Sequence, residues 1–413
     1  MKNLNSAIWA ARASQCKSTL TLSTVLTAVL LAFGLVFSAT TAAAAAQRDM
    51  NIIAHQDDDI LFMNPDIAHA IQQNHSILTV YLTAGDAGLG SDYMVVREQG
   101  ARAAYANMAG VVDSDSSWTT LPVNIQDVPL IKMLQMKRAK GKAPIYLVFL
   151  RLPAGSEAGF SFDTSPYDNA YQSLRILWLG NSAFIDSLRD PNYASDPTDF
   201  INGKPQQYWN EWSKPGLVMT LTNLMAWFQP TTIRSADSTG HTLVPDGPAP
   251  DYWYFDQRGK ERGGMPTYAI DWTNPLYTQH YGSKDQFGLD VSCVYIYYPL
   301  FTDGGFLDSG TSFVPPQYYN YDHSDHFFTG IFTKAAAEGY YAKTSARPTF
   351  RIYHGYNIAN KPANVAGTDY TNKVNTFNAY AFYDYNAGTY PDYDGVKHYI
   401  TWLSRQYGAA IEP

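Results

Sequence analysis

Cysteine is scarce in this chain of 413 residues, which contains only Cys16 and Cys293. Cys16 lies in an N-terminal segment that has the features of a removable leader, so Cys293 would remain alone and could form no internal disulfide. Cys293 sits in the apolar stretch Val291–Tyr298, which favours a buried and inert thiol over a nucleophile. The sequence therefore excludes a small fold held together by disulfides, and it excludes a zinc site built from cysteines.

Positive charge is limited too, and it forms no basic block. The chain has 29 Lys and Arg residues against 37 Asp and Glu residues. Residues 1–46 contain three basic residues and no acidic one, so the rest of the chain has 26 against 37, a net charge of −11. Because an acidic surface repels phosphate backbones, nucleic acid is excluded as a partner.

The one long apolar run, Val25–Phe37, is shorter than the ~20 residues that a membrane-spanning helix needs. Basic residues up to Lys17 precede this run, and small residues from Ser38 to Ala46 follow it with several Ala-x-Ala sites. This layout is typical of a secretory signal peptide. We predict a signal peptide over 1–46, a secreted or periplasmic protein and no stable membrane anchor after cleavage. An uncleaved anchor is the alternative.

The rest of the chain, 47–413, alternates strand patterns with helix patterns. Short apolar segments predict strands, and 3.6-residue periodicity predicts helices. The predicted strands are 50–54, 77–82, 145–150, 231–234 and 349–353, and the predicted helices are 60–71, 93–108, 217–228, 327–337, 371–383 and 395–407. This order predicts an α/β, Rossmann-like fold, with a largely parallel sheet and helices on both faces. Sites in such sheets lie beyond the carboxyl ends of the strands.

A long irregular insertion interrupts this pattern from about 237 to 319. It is rich in Pro, Gly, Asp, Trp and Tyr, as in Pro245–Pro250. A structureless stretch of this length inside a domain is usually functional or disordered, and the aromatic content argues against disorder. We therefore predict one domain over 47–413 that contains an ordered insertion near its site.

Two polar clusters carry the candidate chemistry. Ala54-His-Gln-Asp-Asp-Asp59 follows the first strand, and Tyr321-Asp-His-Ser-Asp-His326 begins a helix. Acids at a helix start explain one or two of the three adjacent carboxylates, but three repel one another unless a cation compensates them. Taken alone, each histidine could be an ordinary surface or core residue without a ligand role. Together the clusters offer imidazoles and carboxylates that suit Zn²⁺. Three protein ligands with one open position are typical of a catalytic zinc site.

The paired motifs resemble those of the PIG-L/LmbE family of metal-dependent de-N-acetylases. The usual first motif of that family is Ala-His-Pro-Asp-Asp-Glu, so Gln56 and Asp59 depart from it, at positions that are not metal ligands. The resemblance covers residues 48–110 and 316–332 and extends less closely to 234–237. It implies the same Rossmann-like fold.

The resemblance also implies roles for individual residues. His55, Asp58 and His326 correspond to the metal ligands, for Zn²⁺ or another divalent ion. Asp57 corresponds to the general base, and His323 to the residue that stabilises the oxyanion or donates a proton. These roles fit amide hydrolysis, which needs a polarised carbonyl, a base for the attacking water and a partner for the developing negative charge.

Three further residues are weaker candidates. Asp325 is expected to orient one of the histidines, although an acid at a helix start is an equally good explanation. Arg97 could contact the substrate, or it could pair with a nearby acid. Asp86 could face the pocket, or it could simply form the turn between Gly85 and Gly88.

The function that the resemblance implies is a zinc-dependent, N-acetylglucosaminyl deacetylase-type amidohydrolase. Export favours an N-acetylated carbohydrate substrate outside the cytoplasm, such as a polysaccharide or glycoconjugate. Two alternatives remain at this point: a carbohydrate-binding protein with a non-catalytic metal site, and an amidohydrolase that acts on a non-sugar amide.

Overall fold

The computed structural model describes residues 46–155, 172–190, 200–238, 306–307, 313–314, 322–389 and 398–411. The chain divides into two units, Met1–Ala46 and Gln47–Pro413, and the described residues belong almost entirely to the second. The predicted signal peptide up to residue 45, Cys293 and most of the predicted insertion lie outside the described residues. Among the helices that are described, none combines the length and the apolar character needed to cross a bilayer.

Helices and strands alternate along the chain. The described helices are α1 (Asp58–Phe62), α2 (Asp66–Gln72), α3 (Ser91–Ala109), α4 (Leu174–Leu179), α5 (Lys214–Phe228), α6 (Ser324–Lys343), α7 (Gly367–Ala381), α8 (Tyr385–Thr389) and α9 (His398–Leu403). The described strands are β1 (Arg48–Ile53), β2 (Ser76–Thr83), β3 (Trp118–Thr120), β4 (Lys132–Met136), β5 (Ile145–Leu152), β6 (Phe184–Asp186), β7 (Phe200–Ile201), β8 (Lys204–Pro205), β9 (Glu211–Ser213), β10 (Thr232–Ala236), β11 (Phe306–Leu307), β12 (Phe313–Val314), β13 (Thr349–Tyr353) and β14 (Gly408–Ile411).

The main sheet of the described chain has the strand order β14-β13-β10-β1-β2-β5-β4-β3. The strands from β13 to β5 in this order pair in parallel. Strands β14, β4 and β3 pair antiparallel at the two edges. The predicted Rossmann-like α/β fold with a largely parallel sheet is confirmed, and the antiparallel edges are an addition to it. Because β1 lies between β2 and β10, the strand order reverses beside it, which is where such folds bind ligands.

Helices cover both faces of the sheet, as predicted. On one face, strand residues such as Ile52 pack against α4, α5 and α6, while on the other face residues such as Ile53 pack against α2 and α3. Successive strand residues point to opposite faces, so these neighbours in β1 belong to different cores. A third apolar cluster joins α1 with α7 and α9. The carboxyl end of β1 is therefore enclosed by helices from both halves of the domain.

A buried ion cluster fixes α3 against the sheet. Glu98 of α3 accepts hydrogen bonds from Arg151 at 2.6 and 2.8 Å and from Lys132 at 3.0 Å. Burial by itself would raise the pKa of Glu98, but Arg151 and Lys132 outweigh it and lower that pKa. The charged carboxylate ties α3 to β4 and β5, and this anchors the neighbouring residue Arg97.

Candidate active site

The first motif forms a buried turn between β1 and α1. Asp58 begins α1, and its Oδ2 accepts a hydrogen bond from the backbone N–H of His55 at 2.6 Å. The Nδ1 atom of His55 lies 3.3 Å from the same oxygen. His55, Asp57 and Asp58 are all buried. The turn therefore presents an imidazole and a carboxylate together at the carboxyl end of the central strand.

The second motif brings two more histidines to the same place. His323 precedes α6, and its Nδ1 accepts a hydrogen bond from the backbone N–H of Asp325 at 3.0 Å, which caps the helix. His326 lies in the first turn of α6. The ring centroid of His55 is 4.8 Å from that of His323 and 5.2 Å from that of His326. Fold and helix cap together join two motifs that are far apart in the sequence.

His55, Asp58 and His326 are arranged as a set of metal ligands. One ligand atom from each lies within 4.8 Å of the others. Nε2 of His326 is 2.9 Å from Oδ1 of Asp58, and Nδ1 of His55 is 3.3 Å from Oδ2 of Asp58. Two ligand atoms at ~2.0–2.1 Å from a tetrahedral zinc ion lie about 3.3 Å apart, so these separations fit such an ion. A second group within 4.8 Å, His55, His323 and Asp325, shares His55 with the first.

The charges of the site also favour a bound cation. Burial opposes protonation of His55 and His326, the two histidines of the first group. Asp58 and Asp325 nevertheless raise the pKa of His55 to about 9. Asp58 and Asp322 likewise raise the pKa of His326 well above its ordinary value. The carboxylates thus hold positive charge between them, and a divalent cation that displaced the two protons would satisfy the same field.

Each ligand histidine also has a carboxylate on its other ring nitrogen. Oδ2 of Asp325 lies 3.2 Å from Nε2 of His55, and this oxygen also accepts a hydrogen bond from Gly155 N–H at 2.8 Å. Oδ1 of Asp322 lies 2.6 Å from Nδ1 of His326. A carboxylate on one imidazole nitrogen orients the ring and leaves the other nitrogen for the ion. Asp325 thus contacts one of the histidines, and its orienting role stays a prediction, whereas the sequence did not single out Asp322.

Asp57 lies beside the ligands and pairs with Arg97. Nη2 of Arg97 donates to Oδ1 of Asp57, while its other nitrogens donate to Gly85 O and to the hydroxyl of Tyr380, both at 2.7 Å. Burial raises the pKa of Asp57, and Arg97 opposes that rise. Arg97 is buried and pairs with Asp57 inside the site. Its contact with a substrate remains a prediction.

The two departures from the usual motif have different surroundings. Gln56 donates from Nε2 to Thr83 O at 3.0 Å and so links the turn to the end of β2. Asp59 accepts hydrogen bonds from Tyr81 and Tyr105 at 3.0 and 2.8 Å. Burial raises the pKa of Asp59 to about 7 in spite of these bonds. Asp59 therefore links the turn to β2 and α3 through the two tyrosines.

Asp86 makes contacts that belong to a loop junction. Its Oδ1 accepts a hydrogen bond from Ala154 N–H at 3.0 Å. Backbone N–H groups of its own turn, from Asp86 to Gly90, also donate to the carboxylate. Asp86 is buried, and it joins the loop after β2 to the loop after β5. These contacts are those of a residue that forms a turn. Contact between Asp86 and the substrate remains a prediction.

Aromatic side chains pack against His326. Its ring centroid lies 5.1 Å from that of Tyr356 and 5.7 Å from that of Phe62. Trp402 stacks on Tyr356 at 4.7 Å and donates from Nε1 to Tyr356 O at 3.1 Å. The last described helix, α9, therefore contributes to the walls of the site. These rings limit the freedom of the imidazole and lower the local dielectric, which strengthens the charge interactions described above.

Comparisons with known proteins give a family match and a weak similarity to a solved structure. Residues 50–244 match the family described as PIG-L, GlcNAc-PI de-N-acetylase. A search of curated proteins gives no match. Among solved structures, the chain is similar to the crystal structure of the zinc-inhibited form of teicoplanin deacetylase Orf2, at 10% identity and a TM-score of 0.31, over 81% of this chain and 84% of that chain.

The matched segment contains the first motif and ends before the second, so the fold is what adds His323 and His326 to the site. The sequence match carries the family assignment. The chain therefore contains a PIG-L family domain, of the GlcNAc-PI de-N-acetylase type, over residues 50–244.

Proposed function

We propose that this protein is a metal-dependent amidohydrolase that removes the acetyl group from an N-acetylated sugar. The observation that carries the proposal is the meeting of three ligand atoms, from His55, Asp58 and His326, beside Asp57 and His323. The donor set of two imidazoles and one carboxylate suits zinc and leaves room for a substrate or water as the fourth ligand. When bound, a divalent ion supplies the Lewis acidity that makes an amide carbonyl and a water molecule reactive.

Asp57 is the general base in this proposal. Its Oδ1 accepts a hydrogen bond from Arg97, which fixes the carboxylate and opposes the rise in its pKa that burial causes. The carboxylate can accept a proton from the attacking water. The same group can then deliver that proton to the leaving amine nitrogen. Arg97 is itself fixed by Gly85 O, Tyr380 and Asp384, the last with an oxygen 3.3 Å from Nε. Asp57 therefore needs no reorganisation to act, which is the condition for efficient proton transfer.

His323 is suited to stabilising the oxyanion. Because its Nδ1 accepts a hydrogen bond from Asp325 N–H, a neutral ring carries its proton on Nε2. Burial and the nearby His55 lower the pKa of His323 to about 3, so the ring is neutral at pH 7. A fixed N–H donor in a buried site stabilises negative charge that develops on the amide oxygen.

The substrate class rests on the family and on the predicted leader. The family is described by a reaction on an N-acetylated sugar, GlcNAc linked to phosphatidylinositol. A cleaved signal peptide would direct the chain out of the cytoplasm, where polysaccharides and glycoconjugates offer N-acetylated sugars. We therefore place the substrate among N-acetylhexosamine glycans.

The experiment that tests this function is acetate release from a panel of N-acetylated glycans, together with metal analysis. We expect release of free acetate and free amine, loss of activity after chelation, and recovery with Zn²⁺, Co²⁺ or Mn²⁺. Acetate release from a simple N-acetyl amide alone would point to a non-sugar amidohydrolase. Glycan binding without acetate release, at full metal occupancy, would establish a binding protein and overturn the enzyme.

Export has its own expected result. If residues 1–46 are a cleaved signal peptide, protein from the native host should be found outside the cytoplasm. Its N-terminus should lie between Ala43 and Arg48, because the small residues before this point offer the cleavage sites. Intact-mass measurement checks this. A chain that retains Val25–Phe37 and fractionates with membranes would show that the leader is an anchor.

A further inference from the structure

We propose that Asp322 is a positioning residue that sets the ring orientation and tautomer of His326 for metal binding. The proposal rests on the assignment of His326 as a metal ligand under the proposed function. Asp322 lies outside the segment that matches the PIG-L family, and nothing in the sequence pattern singled it out. Its side chain is nevertheless almost fully buried beside the ligand.

The Asp322 carboxylate is held on all sides by donors. Oδ1 accepts hydrogen bonds from the backbone N–H groups of His323 at 2.9 Å and Tyr356 at 3.0 Å. Oδ2 accepts one from Gly355 N–H at 3.0 Å. The three backbone donors fix the carboxylate plane independently of His326. The remaining direction of Oδ1 faces Nδ1 of His326, 2.6 Å away.

This arrangement decides which nitrogen of His326 is available to a metal. A charged carboxylate can only accept, so Nδ1 of His326 must carry a proton. The neutral ring then has its lone pair on Nε2, the atom that lies 2.9 Å from Oδ1 of the ligand Asp58. Asp322 thus orients the ring so that Nε2 faces Asp58, where the ion would bind. Changes to such outer carboxylates typically cost about 10- to 100-fold in metal affinity.

Gly355 shows that the protein leaves space for this carboxylate. A Cβ atom added at Gly355 would overlap the Asp322 carboxylate. A side chain at position 355 would therefore displace Asp322 from His326. Gly355 and Tyr356 follow β13, so the loop after this strand and the start of α6 together form the cradle. Two separate substitutions, at Asp322 and at Gly355, can therefore disturb the same contact.

The test measures Zn²⁺ affinity of the full chain by competition with a chromophoric chelator. In Asp322→Asn the amide has one acceptor oxygen for four donors, so either Gly355 or His326 meets an N–H group instead. We expect zinc affinity to fall about 10- to 100-fold. Excess Zn²⁺ should restore most of the turnover with KM unchanged. Gly355→Ala should lower zinc affinity in the same direction without changing any titratable group.

Asp49→Asn provides a matched control. Asp49 is an equally buried carboxylate that contacts Nδ1 of a histidine, His75, at 3.1 Å, but it lies at the opposite end of β1. Its loss should lower stability and leave zinc affinity at the wild-type value. The visible absorption spectrum of the Co²⁺-substituted protein adds a second readout, because it should change in Asp322→Asn and Gly355→Ala and stay constant in Asp49→Asn.

Wild-type zinc affinity and an unchanged Co²⁺ spectrum in folded Asp322→Asn and Gly355→Ala proteins would overturn the proposal. An equal loss of zinc affinity in Asp49→Asn would also overturn it, because the effect would then come from general destabilisation. The two proposals fail separately. A protein that binds zinc in an Asp322-dependent way but releases no acetate would lose the proposed function and keep this inference.

Discussion

Replacing His326 by alanine should reduce bound zinc to well below one ion per chain and abolish measurable acetate release. His326 contributes the nitrogen closest to the Asp58 carboxylate, so its removal leaves two protein ligands. It also leaves Asp58 and Asp322 buried without the partner that they share. Loss of one member of a buried charged pair costs about 3–5 kcal/mol, so the metal-free variant should also unfold more easily. Metal analysis and urea unfolding measure the two effects.

His69→Ala is the control for this change. His69 pairs with Asp369 at 2.8 Å, but both side chains are about 40% exposed. Such a surface pair contributes less than about 1 kcal/mol, so zinc content and turnover should match those of the wild type. Full zinc occupancy in His326→Ala would mean that the second group, His55 with His323 and Asp325, holds the ion, and the ligand assignment would have to change.

Local signals in the sequence were sufficient to predict the centre of the fold. Strands β2 and β5 are mostly apolar segments, since a strand covered on both faces needs apolar side chains on both. The predicted strand 349–353 coincides with β13, and the predicted strand 77–82 lies within β2. The first motif could be placed as well, because polar residues that directly follow such a strand must lie at its carboxyl end.

The edges of the sheet carry weaker signals. β4 includes Lys132, a buried charged residue whose Nζ donates a hydrogen bond to Glu98 of α3. β14 begins at Gly408, directly after the predicted helix 395–407, and it pairs with β13. The predicted helix 395–407 accordingly ends early, at Leu403. Pairing of this kind depends on long-range contacts that no local pattern encodes.

The parts of the candidate site that lie in the motifs were predictable. The residues that contact these motifs from distant parts of the chain were not. The resemblance of the two motifs selects His55, Asp58 and His326 as candidate ligands, and the structure brings these three residues together. The partner of Arg97 could not be selected in this way, because Asp57 lies 40 positions away and Tyr380 lies on α7. Asp322 stands within the second cluster, directly before His323, but its role depends on donors from the loop after β13. Orienting groups are fixed by tertiary structure, and they are the part that sequence patterns omit.

Asp57→Asn should cut turnover while leaving the metal in place. Asparagine keeps the size of the side chain and an oxygen that can accept from Arg97, but it can no longer take a proton from water. Positioned acids and bases contribute about 10²- to 10⁴-fold, so kcat should fall within that range with little change in KM. Arg97 keeps Asp384 as a nearby charge, with an Asp384 oxygen 3.3 Å from its Nε, so the variant should still fold.

The neighbouring aspartates are matched controls within the same motif. Asp58→Asn should weaken zinc binding, and excess metal should restore part of its turnover, because Asp58 lies between both ligand histidines. Asp59→Asn should keep zinc, since Asp59 contacts two tyrosines, and we expect its turnover to stay near the wild-type value. The three variants have identical chemistry at consecutive positions and three different expected results. Near-wild-type kcat in Asp57→Asn, with zinc bound, would move the base to another group, and His323 would then be the residue to test.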